Sequence, residues 1–174
     1  QGIADLVERL QQDGNEQLLH NAIGHLPQQP LEAVCQCLEN QHCPLSIAEA
    51  LLERCRLELA QPAPSASLLA HLVRAVSYTK SVTVRDRLIN LVMQRELSSE
   101  PDIVSAIAAR SWEWLTDNSH ARQYLEKLAM SDQDTFNYCL SDLLFMPGLR
   151  DVLLGVIRSP DRSDQLAQSF SNMM

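Results

Sequence analysis

The chain has 174 residues, only 5 of them glycine, and a formal net charge of −8. Scarce glycine with abundant leucine and alanine favours helices over a turn-rich β fold, and the length suits one domain with a substantial core. The acidic balance argues against non-specific nucleic-acid binding, which depends on Lys and Arg, and no apolar run is long enough to cross a bilayer. Because the chain begins with Gln1 rather than Met, we predict that the single all-helical domain, 1–174, is a fragment of a longer protein.

In the first third of the chain, apolar residues recur at the three- and four-residue steps that are typical of helices. Pro30 is suited to the first turn of a helix. Ser46, with Glu49 three residues later, has the spacing of a capping box and predicts a helix start. The predicted helices here are 3–12, 16–26, 30–41 and 46–60.

The same periodicity continues to the end of the chain. Ser65 restarts a helix after the PAPS segment, and Ser99 is predicted to cap another helix with Pro101 in its first turn. Asp132 and Asp134 are expected to stabilise a helix N-terminus through its dipole. The predicted helices here are 65–78, 83–97, 101–115, 119–130, 132–146, 149–158 and 161–172.

The spacing of the helix starts indicates a repeated unit. Alternate helices start near 30, 65, 100 and 132, which predicts helix pairs of about 35 residues, as in α-solenoids of the HEAT type. The alternative is an irregular helical bundle. The predicted helix 101–115 supports a stack because it is apolar on two sides, and such a helix is expected to be buried between neighbours. One side has Ile103, Ile107, Arg110 and Trp114; the other has Ser105, Ala108, Ala109 and Trp112.

The segment VCQCLENQHC, 34–43, concentrates three cysteines and a histidine. Cys35 falls on the core stripe of its helix, and a buried free cysteine behaves as a small hydrophobic residue. Cys37, His42 and Cys43, with Cys55 as a remote fourth residue, are the candidates for a metal or redox site, although their spacing is not that of a known zinc motif. We expect no metal and no cofactor. The odd number of cysteines favours reduced thiols and a cytoplasmic location.

Two neighbouring helices in the middle of the chain present stripes of hydrogen-bonding residues. Arg and Tyr are favoured anchors of protein interfaces, so we predict a protein or peptide partner here; the alternative is a pair of solvated helix faces. The predicted partner-binding residues are His71, Arg74, Tyr78, Arg87, Asn90 and Gln94.

The stretches HLPQQPLEAVCQCLEN (25–40) and CLSDLLFMPGLRDVL (139–153) resemble the C-terminal helical region of an uncharacterised family of gammaproteobacterial proteins, a domain of unknown function. The resemblance implies a bacterial cytoplasmic setting and a missing N-terminal region. It implies no activity and no site, because the shared motifs are packing motifs.

No motif of nucleophilic, metal or nucleotide chemistry occurs in the sequence. We therefore predict a protein that is not an enzyme but a protein–protein interaction or scaffold domain. The alternatives are a regulatory accessory domain of a larger enzyme and, with less support, an RNA-binding helical repeat.

Overall fold

The computed structural model describes residues 2–12 and 14–173, and in these residues it contains eleven α-helices and no strand beyond an isolated bridge between Cys43 and Thr79. The predicted all-α class is confirmed. The helices are α1 (Gly2–Glu8), α2 (Asn15–Ile23), α3 (Gln28–Leu38), α4 (Leu45–Leu59), α5 (Ala66–Ala75), α6 (Val82–Met93), α7 (Pro101–Arg110), α8 (Asn118–Ala129), α9 (Gln133–Leu144), α10 (Leu149–Arg158) and α11 (Asp164–Met173).

Two of the predicted helix starts have the expected cap. The Ser65 hydroxyl accepts a hydrogen bond from the backbone N–H of Leu68 at 3.2 Å, and an Asp132 carboxylate oxygen accepts one from Thr135 at 2.8 Å. These bonds satisfy donors that the first turn of a helix leaves unpaired. The hydrogen bonds from Thr135 hold the pKa of Asp132 below its ordinary value.

The predicted capping box at Ser46 is wrong. The residue before α4 is Pro44, so Ser46 already lies in the first helical turn. Its hydroxyl donates instead to the carboxylate of Glu16, which links α4 to α2. The side chain that matched the pattern of a local cap therefore makes a tertiary contact.

The predicted helix 101–115 is also corrected at both ends. Glu100 rather than Ser99 precedes α7, with Pro101 in the first turn as expected, and the Ser99 hydroxyl donates to the carbonyl of Glu96. α7 stops at Arg110, and a short 3-10 helix, Trp112–Thr116, follows it. The two tryptophans therefore do not share an α-helix, and the faces predicted from α-helical spacing do not extend to them.

The chain divides into two compact units, Gln1–Val92 and Met93–Met174. The prediction of a single domain is not tested by this division and stays a prediction. In the first unit, α1 packs against α3, α2 against α4, and α3 against α5. Side-chain hydrogen bonds reinforce the α3–α5 pair: the Ser67 hydroxyl donates to Glu32 at 3.0 Å, and Gln28 donates to Ser65 at 2.9 Å.

The second unit repeats this arrangement. α7 packs against α9, α8 against α10, and α9 against α11. Its core contains two large aromatic side chains, Tyr124 on α8 and Phe136 on α9, and both are fully buried. The Tyr124 hydroxyl donates to the carbonyl of Val104 at 3.0 Å, so the buried polar group is satisfied and α8 is tied to α7.

Candidate functional site: an apolar groove beside helix α9

The outer side of α9 presents two aromatic residues to solvent. Phe136, Leu140 and Leu143 form the inner side of the helix and are fully buried. Tyr138 lies on the opposite side and is 74% exposed, and Phe145, which directly follows the helix, is 86% exposed. Tyr138 and Phe145 are seven residues apart, so they lie one above the other at a distance of about 10 Å along the helix axis.

A groove of about 370 Å³ runs beside these rings within the second unit. Small residues form the wall that α7 contributes, and the aromatic rings form part of the wall contributed by α9. Among the described residues that line the groove, Asp142 is the only one with a charged side chain. The lining consists of Ser105, Ala108, Ala109, Tyr138, Cys139, Asp142, Phe145 and Met146.

The groove explains why one prediction for α7 is wrong. Ser105, Ala108 and Ala109 were expected to be buried against a neighbouring helix. Ala108 is buried, but Ser105 is only partly buried and Ala109 is exposed. α9 packs against α7 without covering this whole side, so the small residues line an open groove instead of a helix–helix contact.

The buried thiol of Cys139 lines the groove. The Cys139 thiol lies 3.7 Å from the Ser105 hydroxyl, within the distance of a sulfur hydrogen bond. Burial raises the pKa of the Cys139 thiol and, beside it, the pKa of Tyr124. Both side chains therefore stay protonated near neutral pH, and the groove contains no activated nucleophile at this position.

One residue of the predicted stripe on α5 already makes hydrogen-bonding contacts within the first unit. The His71 ring contacts the carbonyl of Ser67 at 2.8 Å through Nδ1 and Gln36 on α3 at 3.2 Å through Nε2. Arg74 is half-buried, and Tyr78 lies beyond the end of α5 with 54% exposure. His71 therefore helps to join α3 and α5, while Tyr78 remains exposed to solvent.

The residues of the second predicted stripe do not all belong to the same unit. Arg87 is exposed on α6 and Asn90 is half-buried there, whereas Gln94 follows the end of α6 and belongs to the second unit. The assignment of these residues to a partner surface stays a prediction.

The cysteine-rich segment is mostly internal. Cys35 and Cys43 are buried, and burial raises the pKa of both thiols, that of Cys43 to about 12. Cys37 is partly exposed on α3 and His42 is exposed. Over residues 2–12 and 14–173, the structure forms no group of three or more His, Cys, Asp or Glu side chains that could hold a metal ion.

The aromatic pair on α9 was not among the predicted site residues, although the sequence contains its signal. In QDTFNYCLSDLLF, the apolar core stripe passes through Phe136, Leu140 and Leu143. Tyr138 and Phe145 fall on the opposite stripe, where a surface helix normally has polar residues. An aromatic pair at i and i+7 on a polar side marks a candidate binding surface.

The fold and the groove together define an all-helical protein with exposed aromatic residues beside an open groove. The whole chain, residues 1–174, matches the family described as "Protein of unknown function (DUF3549)", and the chain belongs to this family. Neither a curated protein nor a solved structure matches the chain. Within the described residues, none of the helices has the length and apolar character needed to span a membrane.

Proposed function

We propose that this chain is a non-catalytic interaction domain that holds a protein partner in the groove between α7 and α9. The observation that carries this proposal is the exposure of Tyr138 and Phe145 beside a wall of small residues. Soluble proteins rarely leave a contiguous apolar patch uncovered unless it binds something. Aromatic side chains bury about 150–250 Å² each, and they dominate the energetics of interfaces.

The packing of alternate helices supports a solenoid-like scaffold as part of the same proposal. In each unit a helix packs against the second helix along the chain, as expected when helix pairs are stacked. The starts of α3, α5, α7 and α9, at residues 28, 66, 101 and 133, keep a spacing close to the predicted one. The proposal therefore includes a HEAT-type stack of helix pairs. It also includes a location in a bacterial cytoplasm.

Affinity capture tests the proposed groove. The unaltered chain and a Tyr138→Ser, Phe145→Ser double variant serve as bait in a lysate of the organism that makes the protein. We expect proteins retained by the unaltered chain to be reduced at least about fivefold with the variant, because both aromatic anchors are lost. The melting temperature should change little, since both side chains are already exposed.

Leu18→Ser with Leu45→Ser is the matched control, because it removes two exposed apolar side chains from the first unit, outside both the groove and the predicted stripes. Its capture should equal that of the unaltered chain. Equal capture by the double variant and the unaltered chain would contradict the groove assignment.

A further inference from the structure

The outer face of α9 alternates acidic and aromatic residues. Asp134, Tyr138, Asp142 and Phe145 follow one another at steps of four, four and three residues, which places them within an arc of about 80° on a helix. All four are exposed. A face of this kind has apolar contact area and negative charge in the same place.

The unit that carries this face is also acidic as a whole. Asp142 lines the groove, and the described lining contains no Lys, Arg or His. Arg110, which follows the groove residue Ala109, already has an interaction partner within the chain. Residues 93–174 contain twelve Asp and Glu against seven Lys and Arg, a formal charge of −5. A cationic group that enters the groove is therefore attracted, and an anionic one is repelled.

We propose that the groove binds an amphipathic helix whose apolar stripe is flanked by Lys or Arg. This inference rests on the proposed function and specifies its partner. Apolar residues at i, i+3 or i+4, and i+7 of such a helix match the distance of about 10 Å between Tyr138 and Phe145. The small side chains of Ala108 and Ala109 allow the partner backbone to approach α7 closely, and Asp134 and Asp142 pair with the flanking cations.

The acidic charge of the α9 face also favours a basic helix over a membrane or a nucleic acid as the partner. Anionic lipid headgroups and phosphate backbones both attract Lys and Arg rather than Asp. The exposed aromatic rings alone would be compatible with a lipid surface, so the two carboxylates decide in favour of a basic helix.

Two labelled peptides test the inference with the full chain. Each is an amphipathic helix of about 16 residues with leucines at the i, i+3, i+4 and i+7 steps; one has lysine at the flanking positions and the other glutamate. We expect the lysine peptide to bind at least about tenfold more tightly in fluorescence anisotropy at low salt, and this preference to shrink as salt screens the charges.

Asp134→Asn with Asp142→Asn should weaken binding of the lysine peptide several-fold and flatten its salt dependence. Asp5→Asn with Glu8→Gln, which removes the same charge from two exposed residues of α1, should leave binding unchanged. Circular dichroism and the melting temperature check that each variant folds.

The remaining outcomes separate this inference from the proposed function. Equal binding of the two peptides, with sensitivity to the Tyr138 and Phe145 substitutions alone, overturns the basic partner but leaves the groove as a docking site. Absence of binding by either peptide overturns the helix inference. Preferential binding to phosphatidylglycerol vesicles also overturns it and favours a lipid surface. The proposed function itself fails when capture does not depend on Tyr138 and Phe145.

Discussion

Four of the five cysteines lie in the core, where each acts as a small apolar side chain. Cys35 and Cys43 come from the segment with the greatest density of metal-binding residue types, yet burial raises the pKa of both thiols and disfavours the thiolate that binds metals. Cys37 lies two residues after Cys35 on the same helix. It is partly exposed, because two residues separated by two positions point to different sides of a helix.

Thiol labelling should separate these cysteines. In the native protein at pH 8 we expect one fast-reacting thiol, Cys37, and four slow ones, because the other four cysteines are buried. For Cys43, a pKa of about 12 also leaves very little thiolate at that pH. All five should react in denaturant. The measurement is the number of thiols that react with Ellman's reagent in each state. Cys37→Ser should remove the fast phase; a fast phase that survives this substitution would contradict the assignment.

At the scale of elements, two glycines of the second unit have opposite roles. Gly148 ends the turn between α9 and α10 with φ of 79°, a left-handed conformation that other residues adopt only with strain. Gly155 lies on the exposed side of α10, and a Cβ there would meet no atom within 4 Å. The turn needs its glycine, while the helix does not.

Substitution of each glycine by alanine should therefore shift stability in opposite directions. Gly148→Ala is expected to destabilise the protein by about 1 kcal/mol because of the positive φ. Gly155→Ala is expected to stabilise it by about 0.5–1 kcal/mol, since alanine is the better helix former. Urea denaturation followed by circular dichroism measures both free energies of unfolding. A stabilised Gly148→Ala variant would show that the turn relaxes to another conformation.

At the scale of the whole molecule, each compact unit contains one candidate binding surface. The second unit has the acidic aromatic groove beside α9, and the first has most of the stripe residues predicted from the sequence, including Arg74 and Arg87. The two surfaces differ in charge and in their apolar content, so they are suited to different partner chemistry.

Reversing the charge of the stripes tests the second surface independently. Arg74→Glu with Arg87→Glu should weaken capture of a partner without lowering the melting temperature, because Arg87 is exposed and Arg74 is only half-buried. The same lysate and the same bait format as for the groove variants make the results comparable. Unchanged capture would remove the stripes from consideration and leave the groove as the candidate surface.

The sequence by itself determined the helical class and most helix positions, because apolar residues at three- and four-residue steps and local breakers act within one or two turns. Ser65 and Asp132 capped their helices as predicted, since a cap needs only neighbouring donors. Two other details were predicted less well: Ser46 contacts Glu16 on another helix instead of capping its own, and α7 ends at Arg110 rather than at residue 115.

Tertiary structure alone decided where a surface is left uncovered. The sequence pattern predicts that Ala108 and Ala109 belong to a buried helix face. In the structure, the placement of α9 against α7 leaves this face lining a groove. The same packing directs Phe136 into the core and leaves Tyr138 and Phe145 in solvent. The helical period places Phe136 on one side of α9 and Tyr138 and Phe145 on the other, but whether a neighbour covers a given side is set by long-range packing.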